Sequence, residues 1–378
     1  RSHGLASARA AISAQRQMSL DDLRRAIDGI DDEILSLLER RATIARDFAK
    51  AKQASHVPTY DPERERAVLD RLEAKSAGRF PREAIRAVFR EVMSACLALQ
   101  EPVKVSFLGP EGTFTHAAAR ELFGLAARYS EATTIDGVFD AVRRGDATYG
   151  VVPIENSTEG SVTSAIDALI EGGVVIRREL VLEIGHCLMS TAGGLTQIER
   201  VYSHPQALAQ CREWLGKHLS GAQLVQTPST SAAAREALAD GTGAAIGSRL
   251  AAELFGVPVL RENIQDRVEN ATRFVMLAGE DAPRTGNDKT TLAFAVHESR
   301  GALRRVLEIF DDAGVNLTRI ESRPSRRRIW DYVFLADLEG HREDPHIVSA
   351  LATLADRCPM LKILGSYPRG DAAPRSQT

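Results

Sequence analysis

The sequence predicts a multidomain chain: an all-α segment, then an α/β unit, then an α+β unit of ferredoxin-like order. Three observations carry that reading. Leu23, Ile27, Ile30, Ile34, Leu37, Leu38, Ile44 and Phe48 recur at the three-to-four spacing of an amphipathic helix. Between residues 103 and 281, short β-rich runs alternate with helical stretches and glycine-rich turns, the pattern of an α/β unit with a mainly parallel sheet. Residues 290–367 read βαββαβ. A length of 378 residues also exceeds what one ordinary core supports.

In chain order, residues 1–17 are rich in Arg, Ser and Ala and read as a tag remnant or disordered tail. The helical unit takes residues 18–101. Ser19 and Asp22 have capping-box spacing at its start, His56-Val57-Pro58 breaks the first helix, Pro62 opens a second, and a third covers about Arg82 to Gln100. The α/β unit takes residues 103–281, with strands expected at Val103–Leu108, Tyr149–Ile154, Val174–Ile176, Arg200–Ser203, Ala244–Ile246 and Phe274–Leu277. The polar stretch Gly279 to Lys289 reads as a linker. The last unit takes residues 289–370, with strands at Thr290–Val296, Val315–Arg323, Ile329–Leu338 and Met360–Ser366 and helices at Ala302–Ala313 and Pro345–Arg357.

Composition excludes several classes. A net charge of -3 gives no bulk basic field to attract nucleic acid or a membrane surface. Basic and acidic residues balance between Met18 and Gln100, 15 of each, so an anion site there has to be local. No apolar run approaches the roughly 20 residues that span a bilayer. Cys96, Cys187, Cys211 and Cys358 form no CxxC pair and have no His at metal-ligand spacing, which fits a reduced, metal-free, cytoplasmic chain.

On the first helix, Arg41 and Lys52 are 11 residues apart, so they face nearly the same way with roughly 16 Å between them along the axis. Two long cations at that spacing can converge on a small dianion. Arg24 lies roughly 25 Å before Arg41 and reaches the same ligand only from an antiparallel partner helix. Either Arg24 is surface charge or the segment is an intertwined dimer. The second helix presents Asp61, Arg64 and Glu65, and the third ends at Gln100. Periodicity alone reads all of these as solvated faces.

The stretches LRRAIDGIDDEILSLLERRATIARDFAKAK, HVPTYDPERERAVLDRL and FREVMSACLALQ resemble, in register, the all-helical chorismate mutase class. The resemblance implies an interlocked homodimer that rearranges chorismate to prephenate without a cofactor. It implies that Arg24 of the partner and Arg41 clamp carboxylates, that Lys52 and Gln100 hydrogen-bond the ether oxygen, that Glu65 and Asp61 contact the ring hydroxyl region, and that Arg64 sits at another binding position. Cys96 stands where the family often has serine. A pericyclic step moves no proton; a preplaced cation and an amide donor stabilise the charge that grows on the ether oxygen, and arginine clamps hold the compact conformer.

In the α/β unit, Gly109-Pro110-Glu111-Gly112-Thr113 feeds a helix N-terminus, and polar clusters follow strand ends at Glu155–Thr158, Ser203–Gln206, Thr227–Ser231 and Asn270–Phe274. Residue by residue these are also the preferred helix caps, and His204 has no orienting partner in the sequence. Together, VSFLGPEGTFTHAAA, VPIENSTEG, SHPQALAQC and IQDRVENATRF look like prephenate dehydratase. That resemblance implies two lobes similar to periplasmic binding proteins with the site in their cleft. It implies Thr272 as the catalytic threonine, Arg273 as a carboxylate-binding candidate, and substrate contacts at Thr113, Asn156, Ser157, Ser203 and Gln206.

In the last unit, Gly301-Ala302-Leu303 opens a helix and Glu321-Ser322-Arg323-Pro324 ends a strand; pattern alone gives a glycine helix start and a charged turn. Both resemble the phenylalanine-binding motifs of ACT domains, which implies feedback inhibition by L-phenylalanine. Arg326-Arg327-Arg328 reads as a solvated hairpin. The combined expectation is a bifunctional enzyme of phenylalanine synthesis with a multidomain fold, no cofactor and no metal. The alternatives are a non-catalytic amino-acid sensor and an enzyme that prefers arogenate in its middle unit.

Overall fold

The computed structural model describes residues 19–55, 62–100, 102–267, 269–297, 299–324 and 332–370. The N-terminal unit consists of α1 (Leu20–Ser55), α2 (Pro62–Lys75) and α3 (Arg82–Ala98). Ser19 and Asp22 cap α1 reciprocally: the Asp22 amide donates to Ser19 Oγ at 3.1 Å and the Ser19 amide to Asp22 Oδ2 at 3.2 Å. At about 1.5 Å per residue α1 is roughly 54 Å long, and its apolar stripe from Leu20 to Phe48 is exposed. α2 and α3 pack together through Leu69 and Ile85 and through Arg86, which ion-pairs with Glu73 at 2.6 Å. α3 then docks on the middle unit, where Ser94 Oγ donates to the Phe123 carbonyl at 2.8 Å and Arg90 pairs with Glu121 at 2.7 Å.

The middle unit has two lobes. The first is a six-stranded sheet in the order β2-β1-β3-β11-β5, with β4 beside β3. Its members are β1 (Lys104–Leu108), β2 (Arg128–Ala132), β3 (Tyr149–Asn156), β4 (Gly160–Ser161), β5 (Val175–Glu183) and β11 (Ala271–Ala278). The helices α4 (Phe114–Phe123), α5 (Ile135–Arg143) and α6 (Thr163–Glu171) belong to the same lobe. The second lobe is a five-stranded sheet in the order β10-β6-β9-β7-β8. It holds β6 (Cys187–Ser190), β7 (Arg200–Ser203), β8 (Gln223–Gln226), β9 (Gly243–Gly247) and β10 (Val259–Arg261). Its helices are α7 (Pro205–Gln210), α8 (Arg212–His218), α9 (Thr230–Ala239) and α10 (Arg249–Phe255).

The expected mainly parallel sheet is in fact mixed. The chain crosses between lobes after β5 and returns before β11, so β11 runs antiparallel to both β3 and β5, and β6 antiparallel to β9 and β10. The two crossings form one ribbon: the Ile184 amide donates to the Asn270 carbonyl at 2.7 Å and the Ile264 amide to the His186 carbonyl at 3.0 Å.

The C-terminal unit is β12 (Asp288–Ala295), α11 (Ala302–Asp312), β13 (Leu317–Pro324), β14 (Tyr332–Glu339), α12 (Pro345–Arg357) and β15 (Met360–Pro368), with strand order β13-β14-β12-β15. Leu292, Phe294, Val306, Ile309 and Phe310 fill the core beneath its helices. The residues Ala293, Val333, Leu335, Leu364 and Tyr367 share a core with Ile176, Val275 and Leu277 of the first lobe. Gly365 makes this close approach possible, since a Cβ there would overlap the Ile176 backbone. The stretch read as a linker is packed: Ala282 is buried, its carbonyl is hydrogen-bonded by His341 Nε2, and Asp281 pairs with Arg342.

A buried ion cluster joins the two units. Arg273 donates to Glu179 at 2.8 Å, to Asp337 at 2.8 Å and to the Tyr367 hydroxyl at 2.8 Å. Lys289 pairs with Glu179 at 2.8 Å, and Thr291 donates to Asp337 at 2.7 Å. Arg273 also reaches Glu155 at 3.5 Å, and burial pushes the Tyr367 phenol well above the ordinary tyrosine range. Replacing Asp337 by Ala leaves Arg273 short of a partner in a dry site and is expected to destabilise the joined units by about 3–5 kcal/mol. The readout is a lowered urea midpoint; an unchanged midpoint would show that the cluster does not hold the units together.

Candidate active site

The two lobes meet over an open cleft of about 500 Å³, lined by Thr158, Glu159, Gln206, Gln210, Arg212 and Arg267, with Asn270 among the further wall residues. Gln206 Nε2 of the second lobe donates to Glu159 Oε1 of the first at 2.6 Å. A second interlobe bond runs from Ser248 Oγ to the Gly112 carbonyl at 2.6 Å.

Asn156 organises the adjoining polar cluster. It ends β3, and its Oδ1 accepts from the Thr158 amide at 2.9 Å and the Glu159 amide at 3.2 Å. Backbone N–H groups cannot be turned around, so this fixes which end of the Asn156 amide is oxygen. Its Nδ2 therefore faces Thr272 Oγ1 at 2.8 Å and Asn270 Oδ1 at 3.1 Å. Asn270 in turn directs Nδ2 at Gln210 Oε1, at 3.2 Å, and His186 Nε2 lies 2.8 Å from the same oxygen. Thr272 sits on β11 directly opposite Asn156. Its oxygen receives a donor, so its own proton is free to be given away, and no acceptor for that proton stands among the described residues.

The structure separates other expected site residues from this cluster. Arg273 follows Thr272 on a strand, where successive side chains point to opposite faces; its guanidinium is committed to the ion cluster with Glu179 and Asp337, away from Thr272. Ser203 is fully buried and donates to the Ile246 carbonyl at 2.7 Å, tying β7 to β9. Thr113 caps α4 by accepting from the His116 amide, and its hydroxyl donates to the Leu108 carbonyl at 3.3 Å. His204 likewise caps α7. Ser157 braces the Asn156 turn, accepting from the Ala271 amide at 3.0 Å. Gln206 lines the cleft. Missed at sequence level were Gln210, Arg212 and Arg267, all within or beside the quoted motifs; the two arginines have no ion-pair partner among the described residues and line the cleft as free cations.

In the helical unit, Arg41 reaches α3, donating to the Val92 carbonyl at 3.3 Å, and Gln100 lies just beyond the end of α3 with a buried Oε1 that has no partner among the described residues. Arg24 pairs with Asp21 at 3.2 Å and is exposed, and among the described residues one chain does not bring it to Arg41. Arg64 is exposed and Glu65 half-buried on α2. Asp61, the Lys52 side chain and Arg326-Arg327-Arg328 lie outside the described residues.

In the C-terminal unit, Gly301 takes a left-handed conformation (φ 76°) ahead of α11, whose first residues are Ala302 and Leu303. The strand register places this turn and the Ser322–Pro324 end of β13 at the same end of the sheet. Glu321 accepts a hydrogen bond from Ser161 and pairs with Arg319, and Arg323 pairs with Asp167. Arg319 also reaches Glu155 at 3.5 Å. Ser161 and Glu155 are cross-strand partners, one step from Asn156.

No helix among the described residues is long and apolar enough to cross a membrane. Family models for chorismate mutase type II, prephenate dehydratase and the ACT domain match residues 23–101, 105–282 and 290–356. The bifunctional chorismate mutase/prephenate dehydratase of Aquifex aeolicus is 44% identical over 354 residues, covering 93% of this chain and 98% of that protein. A crystal structure of prephenate dehydratase in complex with L-Phe from Arthrobacter aurescens is 40% identical with a TM-score of 0.65, over 71% of this chain and 90% of that chain. A structure described as GqqA, a novel type of quorum quenching acylase, is 32% identical with a TM-score of 0.64, over 71% and 98%. With a helical unit, a two-lobed cleft and a ferredoxin-like unit in this order, and a full-length relative at this identity, the chain belongs to the bifunctional chorismate mutase/prephenate dehydratase family.

Proposed function

We propose that the helical unit rearranges chorismate to prephenate and that the cleft converts prephenate to phenylpyruvate with Thr272 as hydrogen donor to the departing ring hydroxyl. In the second reaction the bond from the ring to its carboxylate breaks, carbon dioxide leaves and the bond's electron pair enters the ring. The ring C–O bond breaks with its pair on oxygen, which takes a proton through the Thr272 hydroxyl, replaced there from solvent, and leaves as water. The carrying observation is the Asn156 amide, which donates to Thr272 Oγ1 at 2.8 Å and leaves the proton of that hydroxyl available to substrate. Arg212 and Arg267 supply cations for the two carboxylates of the substrate.

For the mutase step, the exposed apolar stripe of α1 supports a homodimer in which a partner helix covers Leu23 to Phe48 and brings Arg24 toward Arg41 and Lys52. For regulation, Glu321 beside Ser161 and Arg319 beside Glu155 support a path from phenylalanine at the Gly301–Leu303 and Glu321–Pro324 motifs to the Asn156 turn. Such a path needs phenylalanine to favour one of two arrangements. Four free thiols support a cytoplasmic location; burial pushes the Cys211 thiol up to about 12.

Thr272→Val is expected to lower phenylpyruvate formation from prephenate about a thousandfold while chorismate turnover persists; survival of both activities would remove Thr272 from its role. Lys52→Ala is expected to slow chorismate rearrangement by about the same factor with the fold intact. Light scattering is expected to show at least a dimer, and a strictly monomeric protein that still converts chorismate would contradict the two-chain site. Ser161→Ala is expected to weaken phenylalanine inhibition about tenfold, read from titrations of dehydratase rate; unchanged inhibition would break the proposed path.

A further inference from the structure

We infer that His186 is a positioning residue for the dehydratase reaction: it holds the Gln210 amide with its oxygen inward and its two N–H donors toward the cleft. The inference rests on the function proposed for the cleft and deepens it. His186 lies in the first crossing between lobes, is 3% exposed, and packs against the edge of the Phe114 ring at 5.4 Å. Its own amide is held by Gln265 Oε1 at 2.9 Å.

The orientation follows from the far end of the chain of bonds. The Thr158 and Glu159 amides fix Asn156, Asn156 fixes Asn270, and Asn270 directs a donor at Gln210 Oε1. The atom 2.8 Å from His186 Nε2 is therefore an acceptor, and Nε2 has to carry the proton. Nδ1 is then the bare nitrogen, and it is buried with no hydrogen-bond partner among the described residues. Burial also holds the imidazole below its ordinary pKa, against the opposing effect of the Gln210 bond, so the ring is neutral at neutral pH. A second proton would sit on Nδ1 with nothing to receive it.

Gln210 is a wall of the cleft, and its Oε1 takes two donors, one from each crossing. Its Nε2 has no partner among the described residues, and prephenate is rich in acceptors. With His186 absent, Gln210 keeps only the 3.2 Å bond from Asn270 and can turn its oxygen toward a dianion, which repels it. The effect belongs to substrate binding rather than to departure of the hydroxyl, because Gln210 is not the neighbour of Thr272.

The test compares the full-length protein with His186→Leu and His186→Gln, using prephenate as substrate and chorismate turnover as a check on the rest of the chain. Leu fills the buried site without a donor; Gln places an amide N–H at the position of Nε2. Loss of one orienting hydrogen bond is worth about tenfold. The expected result is a KM for prephenate raised about tenfold in His186→Leu, with kcat within about twofold, and recovery of most of that loss in His186→Gln. A general folding defect would lower kcat and leave KM alone, and that result, an unchanged KM, or His186→Gln no better than His186→Leu would overturn the inference. A nitrogen-15 spectrum of histidine-labelled wild-type protein tests the same claim without the reaction: Nε2–H is expected, and Nδ1–H would overturn it. Wild-type protein that turns over chorismate but not prephenate, with the Nε2–H tautomer intact, would instead place the failure in the function proposed for the cleft.

Discussion

Two backbone amides that cannot be reversed, those of Thr158 and Glu159, set the chemistry of the cleft. They hold Asn156 Oδ1, and everything beyond inherits a direction from that contact. A buried polar chain has two possible polarities, and a serine- or amide-rich cluster with both of them populated would present a mixture of donors and acceptors to substrate. Anchoring one end on main chain removes the choice. The turn that supplies the anchor is itself braced by Ser157 against residues close to Thr272, so the anchor and Thr272 are parts of one local structure.

The alternation of side chains along a strand gives β11 two tasks. Thr272 faces Asn156, while the next residue, Arg273, faces the C-terminal unit and enters a cluster of buried charges. Movement of the regulatory sheet against the first lobe therefore bears on the strand that carries Thr272, and through Glu321 and Ser161 on the hairpin that carries Asn156. Buried ion clusters are poor sources of net stability but resist slippage, because a displaced charge has no water to receive it. That property suits an interface that has to transmit a change in position.

Much of this was legible in the sequence, for physical reasons that differ by segment. Helical spacing located α1, and the Ser19/Asp22 pair marked its start because capping is local chemistry. The βαββαβ order located the last unit because its strands are long and its helices amphipathic. The short strands β2, β6 and β8 were not seen; at four or five residues they carry little periodic signal. The mixed sheet was missed because strand direction depends on where the chain crosses between lobes, a long-range matter. Arg273, a carboxylate-binding candidate by resemblance, is held by Glu179 and Asp337, a long-range pairing with no local signature. Ser203 and Thr113 act as a sheet tie and a helix cap, the roles that small hydroxyl residues favour. Gln210 and His186 carried no signal of their own, since an amide and a buried imidazole gain their meaning only from Asn270 and the crossing ribbon.

The central claim is that Asn156 donates to Thr272 and so leaves the Thr272 proton for substrate, and the isosteric change Asn156→Asp tests it directly. A carboxylate still accepts from the Thr158 and Glu159 amides but cannot donate to Thr272, whose proton then turns inward to the new oxygen. The measurement is kcat for phenylpyruvate formation from prephenate, alongside chorismate turnover in the same preparation. The predicted result is a fall in the former of about a hundredfold with the latter unchanged. A variant that forms phenylpyruvate at the wild-type rate would contradict the account.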